Sequence, residues 1–214
     1  RRARGSAPRL RRAANFPLFF SPGKQGLAFE IFTEMVRSDF EDYRKLYLPL
    51  EFGFNKKTEL TGHIKLKLWV QADGGDDMDL FIAIEKIDRS GEIVPFQFYS
   101  NHEDGPVALG WLRVSHREPD EERSTPYQPF HKHQREIKLN AGEIVPVEIE
   151  IWPSATLFER GEKLRLVVHG HDIYGYPEEQ LTCGHRASVN QGQHVIYTGG
   201  KYDSHLLIPV IPAD

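Results

Sequence analysis

The sequence predicts an all-β protein: a jelly-roll β-sandwich preceded by an irregular N-terminal segment. Three observations carry that reading. From Thr58 onward apolar and polar residues alternate with a period of two, glycine-containing turn markers separate the runs, and several crossings are too long for hairpins. An immunoglobulin-like sandwich is the nearest alternative. It lacks its cysteine pair here, because Cys183 is the only cysteine among 214 residues.

Residues 1–57 hold scattered apolar residues without a sustained period, and read as a linker or packing segment with a short helix around Phe29 to Arg37. Residues 58–214 form the sandwich domain. Its first strand is HIKLKLWVQA, in which Ile64, Leu66, Leu68 and Val70 share one face while Lys65, Lys67 and Trp69 share the other. MDLFIAIEKID follows the DGGDD turn and aligns Leu80, Ile82 and Ile84. GEIVPFQFY, VALGWLRVSHR, IVPVEIEIW, KLRLVVHG, HVIYTGG and SHLLIPVIP supply six more strands. Short extra strands are expected at Glu136 to Leu139 and Thr156 to Glu159.

A hydrophobic fraction of 39% excludes global disorder, and a net charge of -4 gives no reason to expect nucleic acid as a partner. The arginines at positions 1, 2, 4, 9, 11 and 12 read as part of a linker rather than as a nucleic-acid arm. A single cysteine cannot form an intrachain disulfide, which points to a reducing, cytoplasmic setting. No apolar run has the length of a membrane span, so no membrane partner is expected.

The most chemically loaded stretch runs from Leu109 to His133, where a strand breaks into a polar loop rich in proline and histidine. A serine hydrolase of the α/β type requires a G-x-S-x-G elbow, which occurs nowhere in the chain. Ser115 and His116 are adjacent, and neighbours on a strand face opposite ways, so they make no nucleophile–base pair. Cys183 beside His185 lacks surrounding oxyanion donors. His131 with His133, and His169 with His171 and Asp172, have strand-compatible spacing for metal binding but no further ligand at a diagnostic interval. Asp73, Asp76, Asp77 and Asp79 lack the order of a calcium loop and read as a solvated turn. No catalytic residue, metal or cofactor is therefore expected. Trp69, on the face opposite its strand's apolar residues, is the candidate stacking platform if the chain is a free-standing carbohydrate-binding module. Trp111 and Trp152 read as sandwich-core or edge residues.

Several motifs occur together in one order. They are Tyr43–Leu48, Thr58–Gly62, Asp77–Phe81, GWLRVSHR at Gly110–Arg117, and STPY at Ser124–Tyr127 with His131 and His133. Gly142-Glu143-x-Val145-Pro146-Val147, Glu150–Pro153, Gly161–Leu166 and Ser204–Leu206 with Pro209 and Pro212 complete the series. Across residues 40–212 the chain resembles the C-terminal non-catalytic β domain of the X-Pro dipeptidyl-peptidase and cocaine-esterase group of serine hydrolases. That resemblance implies a galactose-binding-like jelly roll joined to an α/β-hydrolase catalytic domain, which is its expected partner, and it allows a homo-oligomer. It carries no catalytic residue into this sequence. The loop and its preceding strand are expected to pack on the hydrolase domain through Arg113, His116, Arg117, Tyr127, His131 and His133; bracing within the sandwich is the competing role.

Overall fold

A computed structural model describes residues 18–20, 33–37, 42–47, 51–98, 102–174, 184–185 and 187–211, the first three of these as backbone. Strands β1 (Leu18–Phe20), β2 (Thr33–Arg37), β3 (Asp42–Tyr47) and β4 (Glu51–Gly53) precede the predicted sandwich. The central strand is β5 (Thr58–Asp73), followed by β6 (Asp79–Ile87), β7 (Ile93–Val94), β8 (Phe96–Phe98) and β9 (His102–Gly105). Then come β10 (Ala108–Arg113), a 3₁₀ turn at Val114–His116, β11 (Val145–Phe158), β12 (Lys163–His169), β13 (Gln193–Tyr197) and β14 (His205–Val210).

The strands build an antiparallel β-sandwich. One sheet orders β1-β13-β5-β14-β3-β2, with β11 along the other edge of β5; the second orders β10-β6-β12-β4, with β7 on β6. β5 and β11 run in register from Val145 opposite Val70 to Ile151 opposite Ile64, and resume beyond a bulge at Ser154 opposite Gly62. Period-two patterning dictates what faces inward. Leu66, Leu68 and Val70 of β5 meet Val147, Ile149 and Ile151 of β11, and Leu80, Ile82 and Ile84 of β6 close the core from the opposite sheet.

Four sequence expectations change. Of the helix expected over Phe29 to Arg37, residues 29–32 lie outside the described residues and Thr33–Arg37 is β2, whose backbone pairs with β3, and β3 pairs in turn with β14. Ladder pairing along a strand edge needs no apolar periodicity, so hydrophobic pattern alone does not reveal it. The segment Glu136 to Leu139 is not a strand; Ile137 N–H donates to Ser115 O and Leu139 N–H to Asp76 O, which ties it across the sandwich edge instead. GEIVPFQFY divides at Pro95, which has no N–H for a ladder, into β7 and β8. The strand expected to run on to Arg117 stops at Arg113 and tightens into the 3₁₀ turn.

Candidate functional site

Gly110 lies where β10 crosses β11, and a Cβ at that position would collide with the Glu150 carbonyl oxygen. The absence of a side chain lets the edges of the two sheets approach, and the neighbouring tryptophans meet there. The rings of Trp111 and Trp152 stand edge to face with centroids 5.0 Å apart. Trp152 retains 50% of its surface exposed. It shares the outward parity of Glu148 and Glu150 on β11, so alternation decides between the core and edge positions that the sequence reading left open, in favour of the edge.

Beyond β10 the chain is fastened from below. Val114 N–H donates to Met78 O, and Ser115 N–H donates to the Asp77 carboxylate at 2.9 Å. The loop then folds back on itself: Lys132 N–H donates to Glu118 O, Asp120 N–H to Phe130 O, and Pro119 bridges His131. Ser124 Oγ accepts the Phe130 N–H at 2.9 Å, while Glu118 receives Arg135 through Nε at 2.7 Å and Nη2 at 3.0 Å. Arg123 lies over the Phe130 ring, 4.6 Å from its centroid.

Between this folded loop and the β10–β11 corner opens a groove of about 620 Å³. Trp111, Trp152, Phe81 and Phe130 give it apolar walls; Arg113, Arg123, His116, His131 and His133 supply cationic and imidazole groups; Asp79 and Glu150 add carboxylates. The structure thus brings four of the predicted residues, Arg113, His116, His131 and His133, to one place. Arg113 also braces the sandwich, donating from Nε and Nη2 to Asp79 at 2.7 and 3.0 Å. Arg117 turns away from the groove and donates to the carbonyls of Val114 and Ile137. Tyr127 also stands apart from the lining, its ring 6.4 Å from that of His63. Sequence reasoning met Phe81 and Glu150 only as ends of family motifs and His185 only beside Cys183, and did not single out Arg123; the four come from separate segments with no shared local pattern.

His131 is held below the ordinary histidine range, first by burial and then by neighbouring His133. His133 and His116 face each other through Nδ1, 3.2 Å apart. Ser115 and His116 lie in the 3₁₀ turn rather than on a strand: the serine is fully buried and the imidazole lines the groove. The Asp172 carboxylate binds His185 through Oδ1 at 2.9 Å, and its backbone oxygen is hydrogen-bonded to His171 Nδ1 at 2.8 Å. The acidic turn is likewise committed internally, with Asp77 on Ser115, Met78 and Lys138 and Asp79 on Arg113 and the Val189 N–H. Among the described residues no group of three or more His, Cys, Asp or Glu side chains is placed to hold a metal ion. Cys183 lies outside the described residues.

Trp69 sits on the outer side of β5. Its indole N–H donates to Asp203 Oδ1 at 2.8 Å, its ring meets Tyr202 edge-on, and Lys67 stands 5.9 Å above it. The side chain is thereby fixed to the hairpin before β14.

The chain is an antiparallel β-sandwich with an aromatic and imidazole-lined groove at one corner. The chain belongs to the X-Pro dipeptidyl-peptidase C-terminal non-catalytic domain family, whose model matches residues 50–207. A crystal structure of a CocE/NonD family hydrolase from Staphylococcus aureus is 42% identical and superposes with a TM-score of 0.73 over 92% of this chain. A second crystal structure of that hydrolase, at 1.95 Å, gives 41% identity, a TM-score of 0.72 and 94% coverage. The chain spans 37% of the length of each of these hydrolases. An aminopeptidase from a marine sediment archaeon (Thaumarchaeota archaeon) shares the fold, with 12% identity, a TM-score of 0.51, and coverage of 76% of this chain and 25% of that one. No curated protein matches the chain.

Proposed function

We propose that the chain is the accessory β domain of a serine hydrolase acting on esters or X-Pro amides, and that it buttresses the catalytic domain and walls one side of the substrate cleft. The observation that carries this reading is Trp152, a large aromatic left 50% exposed in the lining of the groove. Exposed aromatic surface of that kind is costly in water and typical of surfaces that a partner covers. Family membership and the 37% span of the Staphylococcus aureus hydrolases support the same partner, a catalytic domain contributed by the remaining polypeptide.

The test supplies the catalytic portion of the Staphylococcus aureus relative in trans and measures association by calorimetry. Binding weakened by about 2 kcal/mol or more in Trp152→Ala is the expected result for an anchoring aromatic. Undiminished binding in that variant would remove the groove from the interface. The chain alone should turn over neither p-nitrophenyl esters nor X-Pro amides. Turnover blocked by a serine-reactive phosphonate would overturn the accessory assignment.

A further inference from the structure

We propose that His116 and His133 form a two-imidazole site for a first-row divalent transition metal, zinc above all, inside the groove. Their Nδ1 atoms are 3.2 Å apart, within hydrogen-bonding distance. Two neutral imidazoles facing through the same nitrogen can share only one proton, and only when their tautomers differ. Two nitrogens bound to one tetrahedral zinc at its usual bond length stand roughly 3.3 Å apart. The separation already present is that of a coordinated pair.

The backbone is set to hold it. His133 has φ of 50°, the one positive value at a non-glycine position among the described residues. A left-handed conformation at a side chain of this size is uncommon and recurs where a group must be aimed. The two segments carrying the histidines are clasped beside the site by the Lys132 N–H to Glu118 O bond at 3.1 Å and by the paired hydrogen bonds of Arg135 to Glu118. These bonds hold in place the backbone segments that carry the two imidazoles. Arg117, next to His116 in sequence, donates to the Val114 and Ile137 carbonyls, and Arg113 is compensated by Asp79.

His131 does not join as a third ligand, because it is hydrogen-bonded to the Glu148 backbone. Water fills the remaining coordination positions, for which the groove has room. Imidazole ligands select zinc, copper or nickel over magnesium and calcium. The bound ion would clip the returning arm of the loop to the end of β10.

Calorimetric titration of the full chain with zinc chloride tests the site. One ion per chain and a raised thermal midpoint are expected. His116→Gln and His133→Asn should each weaken binding by at least about tenfold, the scale of losing a metal-site interaction. Asparagine tolerates the left-handed backbone, so the second variant keeps the loop's conformation, as circular dichroism would register. His171→Asn, in the other histidine pair, should bind zinc as the unaltered chain does. The unaltered chain loaded with Cu(II) should show nitrogen couplings from two imidazoles by electron paramagnetic resonance. Absence of saturable zinc uptake, affinity unchanged in a folded His133→Asn variant, or a copper spectrum without paired imidazole nitrogens would each overturn the proposal.

Discussion

The Asp77 carboxylate, 2% exposed, accepts the backbone N–H of Ser115 at 2.9 Å, joining the start of β6 to the turn that leaves β10. The same Oδ1 accepts the Met78 N–H, and Oδ2 accepts Lys138 at 2.9 Å. One buried group therefore fixes three segments that meet beneath the groove. Asp77→Ala strands two backbone donors in the interior and should destabilise the fold by about 2–4 kcal/mol. Asp77→Asn keeps an acceptor for both and should cost less. Equal losses for the two variants in urea unfolding would show that the charge, and not the acceptor geometry, matters.

Acid should find the same residue. Burial pushes the Asp77 carboxyl upward, but hydrogen bonds from Ser115, Lys138 and Met78 outweigh it and leave the carboxyl below its ordinary value of 3.8. A depressed carboxylate contributes stability that is present above the unfolded value and lost as pH falls through the folded one. Unfolding free energy measured on the acid side of pH 3.8 should therefore fall more steeply in the unaltered chain than in Asp77→Asn. Parallel curves would rule out Asp77 as the source.

Gly110→Ala tests the corner itself. The added methyl meets the Glu150 carbonyl and Ile151 Cγ1. The Glu150 backbone is held by the ladder of β11 to β5 and cannot step aside cheaply, so a loss of about 1–3 kcal/mol is expected, the range for overpacking. Trp111 and Trp152 should be pushed apart as well, visible as a change in near-ultraviolet circular dichroism. An alanine variant as stable as the parent would mean that the two strands separate freely.

What could be read beforehand was the regular part. The alternation Ile64, Leu66, Leu68, Val70 fixes both the inner face of β5 and the outward position of Trp69, and each is found as expected. The groove is a different kind of object. Phe81, Trp111, Phe130 and Trp152 come from three strands and a loop; Phe81 and Trp111 pair across β6 and β10, and the approach of β10 to β11 adds Trp152. The contact of His116 with His133 depends on a left-handed residue that the sequence does not mark with glycine. Spacing pointed to His131 and His133 as the pair, because strand geometry would place both on one face. The loop instead turns at His133 and directs it across the chain to His116.

His194 links pH to stability on the neutral side. It is fully buried on β13, and desolvation holds its imidazole below the ordinary 6.5, against the opposing pull of Asp79. The folded chain thus leaves this group neutral where the unfolded chain would protonate it. Stability is undiminished above pH 6.5 and falls progressively below it. One such histidine gives a slope of at most about 1.4 kcal/mol per pH unit. Unfolding curves collected from neutrality down to pH 5 should show a shallower slope in His194→Asn; an unchanged slope would assign the acid sensitivity to other groups.

Fluorescence can report on the groove without any enzyme assay. The chain has three tryptophans, of which Trp152 is the exposed one while Trp69 and Trp111 are partly covered. Trp69 is pinned by Asp203 and Trp111 by the ring of Trp152. Acrylamide should therefore quench mainly Trp152, and Trp152→Phe should lower the overall quenching constant markedly. Adding the catalytic portion of the Staphylococcus aureus relative should protect the unaltered chain in the same direction, because a partner seated in the groove covers that indole. If Trp152→Phe quenches like the parent, the side chain is shielded within the free chain and cannot be the anchor that a catalytic domain grips.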